Sequence, residues 1–151
     1  MRSDNRLSRM LHVLVHMDRH EQRATSETIA QMLGTNAAVV RRTLAGLRER
    51  GLVVAERGPG GGWTLARKLS QISLLDVHEA LGDTTLFGIG VADPKPKCLV
   101  ERSVNARIAS ALEEAEAVIL GRFASVKLSD IVADVDRQMR TGGGWTHELH
   151  Q

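Results

Sequence analysis

The stretch from Ser26 to Arg67, SETIAQMLGTNAAVVRRTLAGLRERGLVVAERGPGGGWTLAR, constrains the fold more than any other part of the chain. Ser26 with Glu27 suits a helix start, and Ile29, Ala30 and Leu33 then fall on one inward face. Gly34 ends that helix, and Thr35-Asn36 supplies a short turn whose polar side chains can cap the next one. Val39, Val40, Leu44 and Leu47 form the buried stripe of a second helix. Gly51 to Arg57 and Gly62 to Arg67 are strand-like and are bridged by Gly58-Pro59-Gly60-Gly61. Helix, tight turn, helix and glycine-tipped hairpin is the succession of a winged helix-turn-helix.

That order gives the outward residues a chemistry. Ala37 and Ala38 are small enough to let the second helix approach a groove, and Arg41, Arg42 and Arg48 can reach base edges or phosphates. An arginine-rich helix face alone is more often just a solvated surface; the short turn before it and the hairpin after it favour DNA contact. The tip at Gly58, Gly60 and Gly61 brings backbone close to phosphates without side-chain bulk, and Arg57 beside it can enter a minor groove. A nucleotide-phosphate loop is the rival for such glycines, but no Lys-Ser/Thr follows them and no helix opens there. The charge is divided accordingly. Residues 1–69 carry 12 Lys/Arg against 6 Asp/Glu, whereas residues 70–151 carry 8 against 12, although the whole chain is only +2. The first half suits a polyanion.

Before this stretch, Leu7, Met10, Leu11, Leu14 and Val15 predict a helix from about Asn5 to His20, capped by Ser3 or Asp4. His12, His16 and His20 form a row on it, which is geometrically open to a metal but fits ordinary packing better, since no carboxylate-histidine motif accompanies it. After the hairpin, Ser73 to Leu81 predicts a short helix and Gly82 to Lys97 a loop around an effector region. Val100, Val104, Ile108, Ala111, Leu112, Ala115, Val118 and Ile119 recur at threes and fours along one long helix, whose apolar stripe is expected to meet its own copy. Leu128, Ile131, Val132 and Val135 give a last helix, begun at Ser129 or Asp130, and residues 141–151 read as a flexible tail containing His147 and His150.

The predicted fold class is therefore mainly α with a small β-hairpin wing: a winged helix-turn-helix over 1–81, an effector or sensor loop over 82–102, and dimerisation helices over 103–140. The longest apolar runs, such as Ala117 to Leu120, fall far short of the ~20 residues that cross a bilayer, and the N-terminus lacks the basic-then-apolar order of a secretory signal. A cytoplasmic protein is expected. One cysteine, Cys98, excludes an intramolecular disulfide and an all-cysteine metal site.

Residues 7 to about 140 resemble the Rrf2 family of bacterial winged-helix transcription regulators. The most specific match is Arg57-Gly58-Pro59-Gly60-Gly61-Gly62-Trp63 followed by Leu65-Ala66-Arg67, where the family usually has a tyrosine or tryptophan after the glycines. Ile29-Ala30, Leu47-Arg48, Gly51-Leu52-Val53 and Ile72-Ser73-Leu74 to Asp76-Val77 fall in register. The resemblance implies a homodimeric regulator, expected to be a repressor, on a partly palindromic double-stranded operator. Its recognition helix corresponds to 36–49 and its wing to 57–63. Its base-reading positions correspond to Asn36, Ala38, Arg41 and Arg42, and its wing arginine to Arg57. Cluster-binding members carry three closely spaced cysteines where this chain has Cys98 alone, in Pro94-Lys95-Pro96-Lys97-Cys98. The chain is accordingly similar to the cluster-less branch, and no cofactor is expected; a small-molecule or redox effector would act through residues 82–105, with Cys98 as the candidate sensor. Three alternatives stand beside a regulator of this kind: a thiol-based redox sensor using Cys98, an enzyme with Cys98 as nucleophile paired with a histidine, and a protein-interaction adaptor that has lost DNA binding.

Overall fold

The computed structural model describes residues 4–19, 23–82 and 86–142. Helix α1 (Arg6–Arg19) starts where the Asp4 carboxylate accepts the Arg6 backbone N–H at 3.0 Å. The same carboxylate is ion-paired with the Arg6 guanidinium, whose hydrogen bonds hold its pKa below the ordinary carboxylate range. Helix α2 (Ser26–Leu33) is capped by Thr25, whose hydroxyl accepts the Thr28 N–H, not by Ser26. Gly34 ends it in the left-handed conformation at φ 63°, as its position in the sequence requires. Helix α3 (Ala37–Glu49) follows after two residues and is capped by the Asn36 side chain, which accepts the Val39 N–H at 3.1 Å.

Strands β1 (Val53–Glu56) and β2 (Gly62–Leu65) pair antiparallel with Val53 opposite Leu65 and Glu56 opposite Gly62. They are shorter than the strand-like runs in the sequence, because Ala66 and Arg67 leave the ladder after the Ala66 N–H meets the Leu52 carbonyl. Between them Gly58-Pro59-Gly60-Gly61 closes a tight turn, with the Gly61 N–H donating to the Gly58 carbonyl at 2.9 Å. Proline at the second position and Gly60 at φ 74° in the third make this a type II turn, which demands a residue tolerant of positive φ there. A Cβ on Gly61 would lie 2.3 Å from the Glu56 carbonyl oxygen, so close closure of the turn requires that glycine as well.

A 3-10 turn (Leu69–Gln71) leads into α4 (Leu74–Ala80), opened by a reciprocal capping box between Ser73 and Asp76. Helix α3 crosses α4 at Gly46, where an added Cβ would sit 2.7 Å from the Ala80 carbonyl oxygen. Val13 and Leu14 of α1, Ile29 of α2, Leu44 and Leu47 of α3, and Ile72, Val77 and Leu128 are fully enclosed in one core. Each such side chain contributes about 1.5–3 kcal/mol relative to exposure. Val39 departs from the expected stripe: it is exposed, and α3 buries Val40, Leu44 and Leu47 instead.

Helix α5 (Leu99–Ser125) is about 40 Å long at 1.5 Å per residue and buries none of its side chains within the chain. Leu99, Val100 and Val118 are each more than 70% exposed. Its far end meets the body at α4, where the Phe123 ring stands 5.8 Å from His78. The chain returns through Val126, whose carbonyl accepts the Leu74 N–H, and through the Leu128 N–H, which donates to the Ile72 carbonyl. Helix α6 (Leu128–Arg140) then packs on α1 and the 3-10 turn. It starts ahead of the expected Ser129 or Asp130, because the Asp130 carboxylate reaches back to the Lys127 N–H at 2.8 Å.

Candidate nucleic-acid interface

A concavity lined by three arginines, Arg41, Arg48 and Arg57, lies between α2, α3 and the hairpin and has a volume of about 540 Å³. Arg41, Ala45 and Arg48, at three- and four-residue steps, present one edge of α3 along it, and Arg57, Gly58 and Gly61 form the opposite wall. The sequence expectation is thus partly regrouped. Arg41, Arg57, Gly58 and Gly61 come together in one cleft, whereas Asn36, Ala38, Arg42 and Gly60 are exposed outside its lining. The Asn36 side-chain Oδ1 already accepts one bond as the α3 cap, while its Nδ2 amide remains available to donate to a base.

Two carboxylates share the cleft, and sequence patterning did not single them out for it. Glu27, at the start of α2, stands 3.5 Å from the Arg41 guanidinium, with both side chains largely in solvent. Glu56, at the end of β1, is ion-paired with Arg23 from the segment between α1 and α2. Floor and wing are joined by Trp63, which is 7% exposed and donates its indole N–H to the Ser26 hydroxyl at 2.9 Å. Ser26 is therefore a buried acceptor under the wing; α2 does start at Ser26, as expected, but the capping hydroxyl is that of Thr25.

Cys98 lies away from this cleft, exposed at the N-cap position of α5. The Glu101 and Val100 backbone N–H groups of the first turn favour the thiolate and draw its pKa below the ordinary thiol value. The preceding segment is tied along the same helix by the Arg102 Nε bond to the Pro96 carbonyl and the Asn105 amide bond to the Asp93 carbonyl. A second concavity, of about 560 Å³, opens between α1 and α6 and is mainly apolar, with Leu7, Leu11, Val15, Ile131 and Val135 on its walls. It depends on α6 folding back over α1, which no local pattern announces. His12 and His16 border it with ring centroids 4.6 Å apart, and His16 is buried; His20, the third of the expected row, lies outside the described residues, as do His147 and His150.

A helix-turn-helix whose second helix and glycine-tipped wing share an arginine-lined cleft is the architecture of a winged-helix DNA-binding transcription regulator. The model of the Rrf2 family, described as iron-dependent transcriptional regulators, matches residues 3–134, and the chain belongs to that family. It is 29% identical over 132 residues to the provisionally named HTH-type transcriptional regulator YwnA of Bacillus subtilis, covering 85% of this chain and 96% of that one. It is 27% identical over 130 residues to the HTH-type transcriptional regulator IscR of Vibrio atlanticus, covering 80% of this chain and 72% of that one. A crystal structure provisionally described as a DNA-binding protein superposes with a TM-score of 0.68 at 26% identity, over 84% of this chain and 98% of the other. The family and both named relatives are transcriptional regulators, not enzymes.

The iron in the family's description can be tested against the donors present. Iron in such proteins needs several thiolate, imidazole or carboxylate ligands converging on one point. Among the described residues no group of three or more His, Cys, Asp or Glu side chains is so placed, and Cys98 is the chain's single thiol. The described residues do not fit a resident iron centre. No helix among the described residues is long and apolar enough to cross a membrane.

Proposed function

We propose that this protein acts as a homodimeric repressor that binds a partly palindromic operator without an iron-sulfur cluster. The observation that carries the DNA contact is the cleft itself, with Arg41 and Arg48 on the α3 wall and Arg57 on the wing wall. A duplex fits this arrangement when α3 lies in the major groove, the sugar-phosphate strand crosses the cleft, and the wing tip reaches the adjacent minor groove. Ala38 and Arg42 then face base edges along with Arg41, and the amides of Gly58, Gly60 and Gly61 approach phosphate. The exposed Val100, Val104 and Val118 along α5 support pairing with a second copy, since none of the described residues covers them. A two-fold axis through α5 would set the two recognition helices about 34 Å apart, one turn of B-DNA.

The test is selection of bound duplexes from a randomised pool, followed by titration of the recovered sequence. Arg41→Ala is expected to weaken binding by about 1–3 kcal/mol and to relax preference at the bases it faces. Parent affinity should fall steeply with salt, as phosphate neutralisation requires. Recovery of no duplex, or binding insensitive to salt, would favour a winged-helix adaptor instead. One observation supports a second property, regulation through Cys98: its thiol is exposed and its pKa is lowered at the start of α5. Cys98→Ser should then abolish any oxidant-induced change in operator affinity, and an unchanged response removes Cys98 from the mechanism.

A further inference from the structure

We propose that Arg23, in the segment joining α1 to α2, is a positioning residue for DNA binding that sets the wing without touching the duplex; this rests on the wing contacting DNA. Three residues, Arg23, Ala24 and Ser26, converge on the hairpin. The Arg23 guanidinium donates to the Gly60 carbonyl at 3.1 Å, in the middle of the wing turn, and the same group is ion-paired with Glu56 at the end of β1. Ala24 forms a β-bridge with Trp63, giving and receiving backbone hydrogen bonds of 3.2 and 2.8 Å. The Trp63 indole is fixed by Ser26. The two-stranded wing is therefore backed by a third, short extended segment. Gly62 makes that contact: at φ 146° an added Cβ would lie 2.8 Å from the Ala24 carbonyl oxygen and 3.2 Å from the Arg23 Cβ.

A free two-stranded hairpin with four-residue strands is marginal in water, so its tip needs an outside constraint to hold one height above α3. Arg23 supplies it from the side of the turn, through the Gly60 carbonyl. It also compensates Glu56. That carboxylate lines the cleft beside Arg57, where an unpaired negative charge would oppose the phosphates that Arg57 attracts. Arg23 thus acts through Gly60 and Glu56, by geometry in one case and by charge in the other.

The experiment compares Arg23→Ala, Glu56→Gln and the double variant, as full-length proteins, on the duplex recovered by selection. Arg23→Ala is expected to bind about tenfold more weakly, the factor equivalent to one charge-assisted hydrogen bond of ~1.4 kcal/mol, and to lose hydroxyl-radical protection only at the minor groove under the wing. Its salt slope should match the parent's, and Glu56→Gln in the same chain should restore part of the affinity, which general damage to the fold would not allow. Hydrogen exchange of the Gly61 amide, which closes the turn, should accelerate in the DNA-free protein in Arg23→Ala and stay slow in Glu56→Gln. Parent-like affinity and footprint in Arg23→Ala would overturn the proposal. So would a salt slope reduced by about one with unchanged exchange, which would make Arg23 a direct phosphate ligand. If the parent itself recovers no duplex, the DNA reading fails, while the exchange measurement still decides whether Arg23 holds the wing.

Discussion

Replacing Ser26 with alanine isolates a buried side-chain hydrogen bond that ties the wing to the helical body. Ser26 and Trp63 are 8% and 7% exposed, and the indole N–H meets the hydroxyl at 2.9 Å. Without the hydroxyl, a donor with no acceptor capacity of its own is left buried, at a cost of about 1–3 kcal/mol. Alanine recovers about 0.5 kcal/mol through better helix propensity at the first position of α2. The net loss should be about 1–2 kcal/mol, and for a chain of this size each kcal/mol lowers Tm by about 2–4 °C. Urea unfolding followed by far-UV circular dichroism, at one fixed protomer concentration because association adds to apparent stability, measures it directly. Trp63→Phe removes the donor and leaves a hydroxyl able to turn to another acceptor, so the double variant should lose less than the two single losses combined, with a coupling of about 1 kcal/mol. A Ser26→Ala midpoint equal to the parent's at unchanged m, or strictly additive losses, would refute the hydrogen bond as the tie.

Three further outcomes are expected. Gly46→Ala should destabilise by about 1–3 kcal/mol in the same unfolding assay despite alanine's better propensity, because its methyl would press on the Ala80 carbonyl 2.7 Å away and force α3 from α4. Val104→Glu, at a half-exposed position on the apolar face of α5, should convert a dimer to a monomer in sedimentation velocity; a persisting dimer would move the interface off α5. Cys98 has its pKa lowered by the Glu101 and Val100 N–H groups, so its thiolate fraction at any pH below the ordinary thiol range exceeds that of a free cysteine. Its alkylation rate by iodoacetamide should therefore reach its plateau at lower pH than that of a cysteine-containing peptide, and superimposable profiles would contradict the stabilised thiolate.

The parts of this fold that could be read from sequence are those fixed by chemistry within a few residues. Gly34 has to be left-handed at a helix end, Asn36 caps the helix after it, and Gly58-Pro59-Gly60-Gly61 has few ways to turn other than the one it takes. What was not legible depends on segments distant in the chain. Ser26 looks like a cap until Trp63, 37 residues later, claims its hydroxyl, and Thr25 then becomes the cap. Val39 fits the apolar period of α3 but falls at the margin of the buried arc, near Thr43 and Arg9 instead of the core. Leu128 marks a helix in the sequence, yet it takes the backbone bonds of Val126 to Leu74 and of Leu128 to Ile72, and the Arg19–Asp136 ion pair, to lay that helix on α1. In the cleft the cations were visible as types, whereas Glu27, Glu56 and Arg23 look like ordinary surface charges without the fold that gathers them.

Those carboxylates decide how freely the arginines can serve a duplex. The Arg41–Glu27 pair is 3.5 Å apart with side chains 56% and 70% exposed, a class of contact worth about 0–1 kcal/mol. Exchanging Glu27 for a phosphate therefore costs Arg41 little, and a guanidinium already oriented into the cleft loses less rotamer freedom on binding than one free in solvent. The wing-side pair differs in topology: Arg23 holds Glu56 and the Gly60 carbonyl together, so pulling Arg23 away would release the turn as well as the charge. One carboxylate is thus placed to yield its arginine and the other to keep it. Glu27→Gln should accordingly tighten binding to specific and random duplexes by a similar, small factor, because it removes a competitor for Arg41 and no base contact; a gain confined to the selected sequence would instead mean that Glu27 itself takes part in reading bases.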